Sequence, residues 1–179
     1  MDKKGTKERT LLILKPDAVE RGLVGEIIGR VERMGFKIVG AKFVKPTEDL
    51  GEKHYPNTNE WKKSVGERTI EDCEKYGMDL MENMGTTDPI EIGNLVKKWN
   101  VDYLCSGPVF ALVLEGFNAI ERLRSLVGNT VPTKASPGTI RGDFSLDSAI
   151  LANMNGRAIS NLVHASGNAE EASYEIDLW

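Results

Sequence analysis

The chain has 179 residues, 40% hydrophobic and 28% charged, with a formal net charge of −4. That length suits one domain, 1–179, with a real core, and the acidic balance gives no global field to draw in nucleic acid or an anionic membrane. No apolar stretch is long enough to span a bilayer, the charged start lacks the apolar core of a secretory signal, and two cysteines make no disulfide framework, so a cytoplasmic protein is expected.

Arg9 to Leu14 reads as a strand ended by Lys15-Pro16-Asp17, because proline cannot donate to a ladder and holds the residue before it extended. From Gly22 to Gly35, Val24, Ile27, Ile28, Val31 and Met34 recur at spacings of three and four, the apolar face of a helix that Gly35 stops. Phe36 to Val44 alternates with a phase shift at Gly40, predicting a strand with a bulge. Leu50 to Tyr55 is a short helix ended by Pro56. Ile70, Cys73, Gly77, Leu80 and Met84 then fall at alternating steps of three and four, predicting a single helix through Gly77. Thr87-Asp88-Pro89 is a helix start, followed by the stripe Ile92, Val96, Trp99, Tyr103. Pro108 to Leu114 is a buried strand, and Asn118 caps a helix through Ile120, Leu123, Leu126 and Val127. A loop rich in Thr, Pro, Gly and Ser runs from Gly128 to Asp143. Asp147 to Ile159 adds a helical turn or two, and the alternation from Tyr174 to Leu178 predicts a last strand. The order is βαββαβ, an α+β, ferredoxin-like sandwich with a four-stranded antiparallel sheet and helices packed on it.

Neither common glycine-rich phosphate cradle is present, so phosphate chemistry here needs side chains. Lys15, Arg124 and Arg141 are candidate clamps, and Thr130 adds a hydroxyl. Each taken singly reads equally well as a solvated surface group; the constellation carries the argument. His164 is the candidate nucleophile, since neutral imidazole attacks well near neutral pH when a carboxylate orients it. Glu175 is that carboxylate, Ser166 can hold it, and Asn161 can reach a sugar hydroxyl or bridging oxygen, although both also suit turns and caps. His54 reads as structural, with no second His or Cys at metal-ligand spacing, and Asp17, Asp143 and Asp147 form no metal pattern either. No protein metal site is expected; Mg²⁺ would arrive with a nucleotide, held mainly by phosphates.

The segments ERTLLILKPDAVERGLVGEII, SGPVFALVLEG, VPTKASPGTIRGDF, NLVHAS and EIDLW resemble, in this order, the nucleoside diphosphate kinases, and together span somewhat more than half the chain. The resemblance implies ping-pong transfer of the γ-phosphoryl of a nucleoside triphosphate, typically ATP, through Nδ1 of His164 to a nucleoside diphosphate. Glu175 matches the glutamate on the other imidazole nitrogen. Lys15, Arg124, Thr130, Arg141 and Asn161 match phosphate- and ribose-binding residues, and Tyr55 matches a tyrosine lining the pocket. It also implies a homo-oligomer, most commonly a hexamer.

Three departures stand out. Ala165-Ser166-Gly167 replaces the usual Gly-Ser-Asp, which puts in doubt how the metal's water shell is held. The helical hairpin is enlarged, from about Pro56 to Val101, and lacks the family's base-stacking phenylalanine; Ile92, Leu95, Val96 or Trp61 is left to supply the platform. A second enlargement runs from Ser145 to Ser160, and the two are expected to pack together at the pocket rim. These losses favour a rival reading, a catalytically silent nucleotide-binding homologue, against which stand the intact His164, Glu175 and clamps. A nucleic-acid-binding ferredoxin-like module is opposed by the acidic balance and the 7% aromatic content, so no specific nucleic acid is expected.

Overall fold

The computed structural model describes residues 7–179. Strands Lys7–Leu14 (β1), Lys37–Val44 (β2), Val109–Phe117 (β3) and Val163–Ala165 (β4) form one antiparallel sheet in the order β2-β3-β1-β4. This is the expected α+β arrangement. β1 is central, paired with β3 along its length and with β4 at its end. Leu11, Leu12, Ile13 and Leu14 are therefore all buried, which is why the run is uniformly apolar. The phase shift in the second strand is a bulge, where the β2–β3 register skips between Ile38 and Gly40.

The helices are Pro16–Glu20 (α1), Val24–Arg33 (α2), Glu48–His54 (α3), Asn59–Lys75 (α4), Leu80–Met84 (α5), Pro89–Cys105 (α6), Ala119–Val127 (α7), Ile140–Phe144 (α8), Ala149–Met154 (α9) and Ala169–Leu178 (α10). Because strand side chains alternate, Leu12, Leu14, Leu112 and Leu114 face one way, onto Ile27 and Val31 of α2 and Leu123 and Val127 of α7. Leu11, Ile13, Val109 and Ala111 face the other way, onto Leu104 of α6, Ile176 of α10 and Trp179. Helices thus cover both faces of the sheet.

Two expectations are corrected. Residues 70–84 are not one helix: α4 ends at Lys75, Gly77 turns the chain at φ +66°, and Asp79 caps α5 by accepting the Glu82 N–H at 2.8 Å. The Met78 N–H bonds the Cys73 carbonyl and the Gly77 N–H that of Glu74, a glycine-closed helix end that outweighs the continuing apolar period. Likewise, Tyr174 to Leu178 is helix, not strand. Asn168 caps α10 by accepting the Glu171 N–H at 2.8 Å, and Ala172, Glu175 and Ile176 turn one face to the sheet. The fourth strand is the three-residue β4, whose brevity hid it from a periodicity argument.

The enlarged regions form one unit. Asp88 caps α6 ahead of Pro89, accepting from the Ile90 and Glu91 N–H groups at 2.9 Å. α4 and α6 approach so closely that a Cβ at Gly66 would lie 1.9 Å from the Pro89 carbonyl oxygen, and one at Gly93 2.2 Å from that of Lys62. α9, from the second enlargement, packs against α4 and α5, as expected of the pocket rim.

Candidate active site

A cleft of about 1270 Å³ opens between the end of the sheet and the enlarged helices, and His164 lines it from β4. Its Nε2 lies 2.8 Å from Oε1 of Glu175, brought in by α10. The other carboxylate oxygen, Oε2, accepts from the Ser166 hydroxyl at 2.6 Å, and that hydroxyl in turn accepts from the Leu11 N–H at 3.2 Å. The central strand thereby fixes Ser166, Ser166 fixes Glu175, and Glu175 faces the imidazole. With Nε2 turned to the carboxylate, Nδ1 is the nitrogen left for the cleft. Burial, reinforced by the charges of Lys15, Arg141 and Arg124, pushes the His164 pKa down to about 3, so the ring is neutral and its lone pair available. Burial raises the Glu175 pKa, opposed by the Ser166 bond and by His54.

The backbone that presents His164 is tightly bent. Leu162, just before β4, has φ +69°, and the Val163 N–H bonds the Asn161 carbonyl at 2.7 Å, a γ-turn that a bulky residue adopts only under constraint. The constraint comes from the first strand's end. Asp17 Oδ2 accepts the Leu162 N–H at 3.1 Å, and the Lys15 N–H donates to the Leu162 carbonyl at 2.8 Å. Asp17 carries no metal-binding pattern, yet its carboxylate places the nucleophile segment; proline-enforced proximity of Lys15 and Asp17 is the one sequence signal for it.

The expected clamps converge, in different states. Lys15 is buried; its Nζ donates to Asn161 Oδ1 at 2.9 Å and lies 5.0 Å from the Tyr103 ring centroid. Burial, then Arg141, lowers its pKa to about 7, against the opposing pull of Asp17. Asn161 completes its amide by donating to the Thr130 carbonyl at 2.9 Å. Arg141 is buried and donates to the carbonyls of Asn161 (3.0 Å), Gly128 (2.8 Å) and Val163 (2.6 Å), so it knits the cleft floor as well as charging it. Burial, with Arg124 nearby, lowers its pKa to about 10. Arg124, exposed on α7, has no ion-pair partner among the described residues and is free to meet a ligand. Thr130 is exposed at the rim. Tyr55 lines the cleft with its hydroxyl buried and unpartnered among the described residues, and burial raises its pKa.

His54, read from the sequence as structural, stands in contact with the candidate nucleophile. Its ring packs edge-on against His164, with centroids 4.4 Å apart and planes at 81°, and its Nδ1 lies 3.9 Å from Glu175 Oε1. The Trp179 indole N–H donates to that Nδ1 at 3.3 Å, so the neutral ring carries its proton on Nε2. Burial, then His164, holds its pKa well below the usual histidine range. The signal available in the sequence was weak, because the contact joins residues over a hundred positions apart. His54, His164 and Glu175 offer ligand atoms within 4.8 Å of one another. These groups already engage each other, and imidazole nitrogens do not suit Mg²⁺, which takes oxygen ligands. Glu171 is a different matter: it lines the cleft, with its carboxylate accepting from the Gly167 N–H at 2.8 Å and from Asn168 Nδ2 at 2.9 Å. A Cβ at Gly167 would lie 2.6 Å from that carboxylate.

A family model described as nucleoside diphosphate kinase matches residues 8–71 and 97–179, leaving 72–96, within the first enlargement, between the matched segments. A nucleoside diphosphate kinase of Pyrobaculum aerophilum is 50% identical over 172 residues, covering 96% of this chain and 94% of that protein. One from Archaeoglobus fulgidus is 41% identical, covering 96% and 85%. Among solved structures, an NDP kinase from Pyrobaculum aerophilum superposes with a TM-score of 0.94 at 48% identity, over 97% of this chain and 96% of that one. The Borrelia burgdorferi nucleoside-diphosphate kinase, a transition-state mimic with bound vanadate and ADP, gives 0.74 at 35% identity, over 97% and 86%.

Proposed function

Because the chain belongs to the nucleoside diphosphate kinase family and is a phosphotransferase of that kind, we propose that His164 is its nucleophile and that transfer is ping-pong. Nδ1 of His164 attacks the γ-phosphorus of a nucleoside triphosphate, typically ATP; the bond to the β-phosphate oxygen breaks and the diphosphate leaves with that electron pair. A terminal oxygen of a second nucleoside diphosphate then attacks the phosphorus, and the N–P bond breaks to restore the imidazole. The observation that carries this reading is the neutral His164 ring with Nε2 2.8 Å from a carboxylate that is itself anchored to the central strand. Glu175 stabilises the positive charge that develops on the ring. Lys15, Arg124 and Arg141 neutralise the phosphates, with Thr130, Tyr55 and the Asn161 amide as further polar contacts. Phosphoryl transfer needs little more than such positioning and charge.

Mg²⁺ would come with the nucleotide and neutralise its phosphates; Glu171 is the carboxylate suited to meet its water shell in place of the aspartate that Gly167 lacks. We take residues 1–179 as one domain in the cytoplasm, serving nucleotide balance, and assembled as a homo-oligomer, with a hexamer expected. The outer edge of β2, unpaired among the described residues and with Phe43 60% exposed, supports self-association.

Protein incubated with γ-³²P-ATP and Mg²⁺, beside His164→Ala, tests the reading. Acid-labile, base-stable label on the wild type alone, discharged by several nucleoside diphosphates, is expected. Nucleotide binding without label would leave the silent binder instead.

A further inference from the structure

Tyr103 closes the apolar stripe of α6, but packing alone does not account for where it sits. Val101 and Leu104 flank it and are buried, Leu104 against Leu11 and Ile13 of the central strand, so the last turn of the helix is pinned to the sheet. The Ser106 hydroxyl donates to the Tyr103 carbonyl at 2.8 Å and finishes that turn. The chain then runs against the end of β1, where a Cβ at Gly107 would lie 3.2 Å from Cβ of Pro16. This close approach sets Tyr103 beside Lys15-Pro16-Asp17.

Three groups of the cleft floor meet it there. The Lys15 ammonium lies 5.0 Å from the ring centroid, close enough to be attracted by the π face. The phenol oxygen is buried beside the Asp17 carboxylate and the Asn161 main chain, without the alignment of a hydrogen bond among the described residues. Burial, then Asp17, raises the phenol's pKa, so the ring stays neutral. An ammonium has three donors, and among the described residues the one side-chain bond of Lys15 goes to Asn161 Oδ1 at 2.9 Å. A buried cation with so few partners depends on whatever else faces it.

We infer that Tyr103 is a positioning residue for phosphoryl transfer, whose ring face seats the Lys15 ammonium in the cleft floor. The inference rests on the phosphoryl-transfer reading, in which Lys15 neutralises phosphate. The charged groups that face Lys15 come from several elements: Arg141 of α8 disfavours its charge and Asp17 of α1 favours it, while His164 of β4 and His54 of α3 are kept neutral by burial. Tyr103 adds a π face from α6, which favours the charged amine without contributing a charge of its own. With the Lys15 pKa already lowered to about 7, a modest loss of support turns the clamp neutral at working pH. The sign is fixed: removing the ring face lowers the Lys15 pKa further, whereas removing the hydroxyl alone leaves it in place.

Trace acetylation with acetic anhydride across pH, read at Lys15 by mass spectrometry, titrates this amine in the full-length protein without calling on activity. Wild type and Tyr103→Phe are expected to titrate together, and Tyr103→Leu, which stays apolar but lacks the π face, roughly one pH unit lower. The alkaline fall in the rate of labelling by γ-³²P-ATP and Mg²⁺ should move with it. A Tyr103→Leu protein that melts earlier but keeps the wild-type Lys15 titration has lost packing only, and overturns the inference; so does Tyr103→Phe shifting as far as Tyr103→Leu. Circular dichroism reports that the variants fold, and should Tyr103→Leu not fold, Tyr103→Met is measured with the same expectation. A wild type that takes no label sinks the phosphohistidine reading, whereas the acetylation result bears on the ammonium's seat alone, which separates the two failures.

Discussion

His164 and His54 form a pair that burial keeps neutral, and this has consequences for stability and for rate. Both folded pKa values lie below the usual histidine value, so at acid pH the unfolded chain binds more protons than the folded one. Stability is therefore present above the unfolded value, roughly 6.5, and is lost as pH falls from there towards the folded values; the raised Glu175 pKa opposes this in part. The melting temperature should drop between pH 7 and pH 5, and His164→Asn should flatten that dependence; an unchanged slope would show that other groups govern it. The Trp179 indole, which fixes the His54 tautomer, should also matter to catalysis. Trp179→Phe keeps an aromatic ring and removes the N–H, freeing His54 to turn against His164. A several-fold lower kcat with unchanged KM is expected, because a geometric fault of this sort is felt in the transition state; a change confined to KM would argue against it. His164, Glu175 and Lys15 were legible as residues because their chemistry is particular to their types. His54 and Asp17 were not, because their contacts depend on neighbours distant in sequence.

At the scale of elements, the longer apolar periods such as those of α2, α6 and α7 were readable, whereas the short capped helices α5 and α8 and the terminal α10 were not, and the errors have local causes. Gly77 closes α4 in a left-handed conformation, and a glycine inside an apolar period does not announce which it will do. The terminal segment alternates like a strand, but Asn168 with Glu170 and Glu171 starts a helix, and helical spacing puts Glu175 on the buried face beside Ala172. This difference matters to function: a helix brings Glu175 across to His164, whereas a strand would have added it to the sheet. The closeness of α4 and α6 also has no sequence signal beyond its glycines. Gly66→Ala would drive a methyl into the Pro89 carbonyl, where no side chain can yield. The helices must separate, and a loss of about 1–3 kcal/mol or more is expected from overpacking of this kind. Chemical denaturation measures the loss, and a variant as stable as wild type would mean that the helices separate freely.

For the whole molecule, the edge of β2, unpaired among the described residues, and its exposed Phe43 set the expectation for assembly. Phe43→Glu should shift the protein to smaller species in light scattering while leaving the fold's circular dichroism unchanged; an unaltered mass would place the contacts elsewhere. Much of the chain's meaning is local. The α+β class follows from periods of two and three to four along the chain, the bulge from a one-residue phase shift, and the phosphate chemistry from lysine, arginine and histidine set among turn-forming residues. Periodicity and side-chain chemistry are properties of neighbouring residues, so a sequence alone determines them. Which groups meet is decided by folding. The sheet order sets β4 against the end of β1, and this closes Asp17 onto Leu162, Ser166 onto Leu11 and Lys15 onto Asn161. Packing of α10 on the same strand carries Glu175 to His164, and α3 brings His54 against both. Electrostatics followed suit: Lys15 and His164 are ordinary in sequence and acquire lowered pKa values because the assembled core excludes water around them.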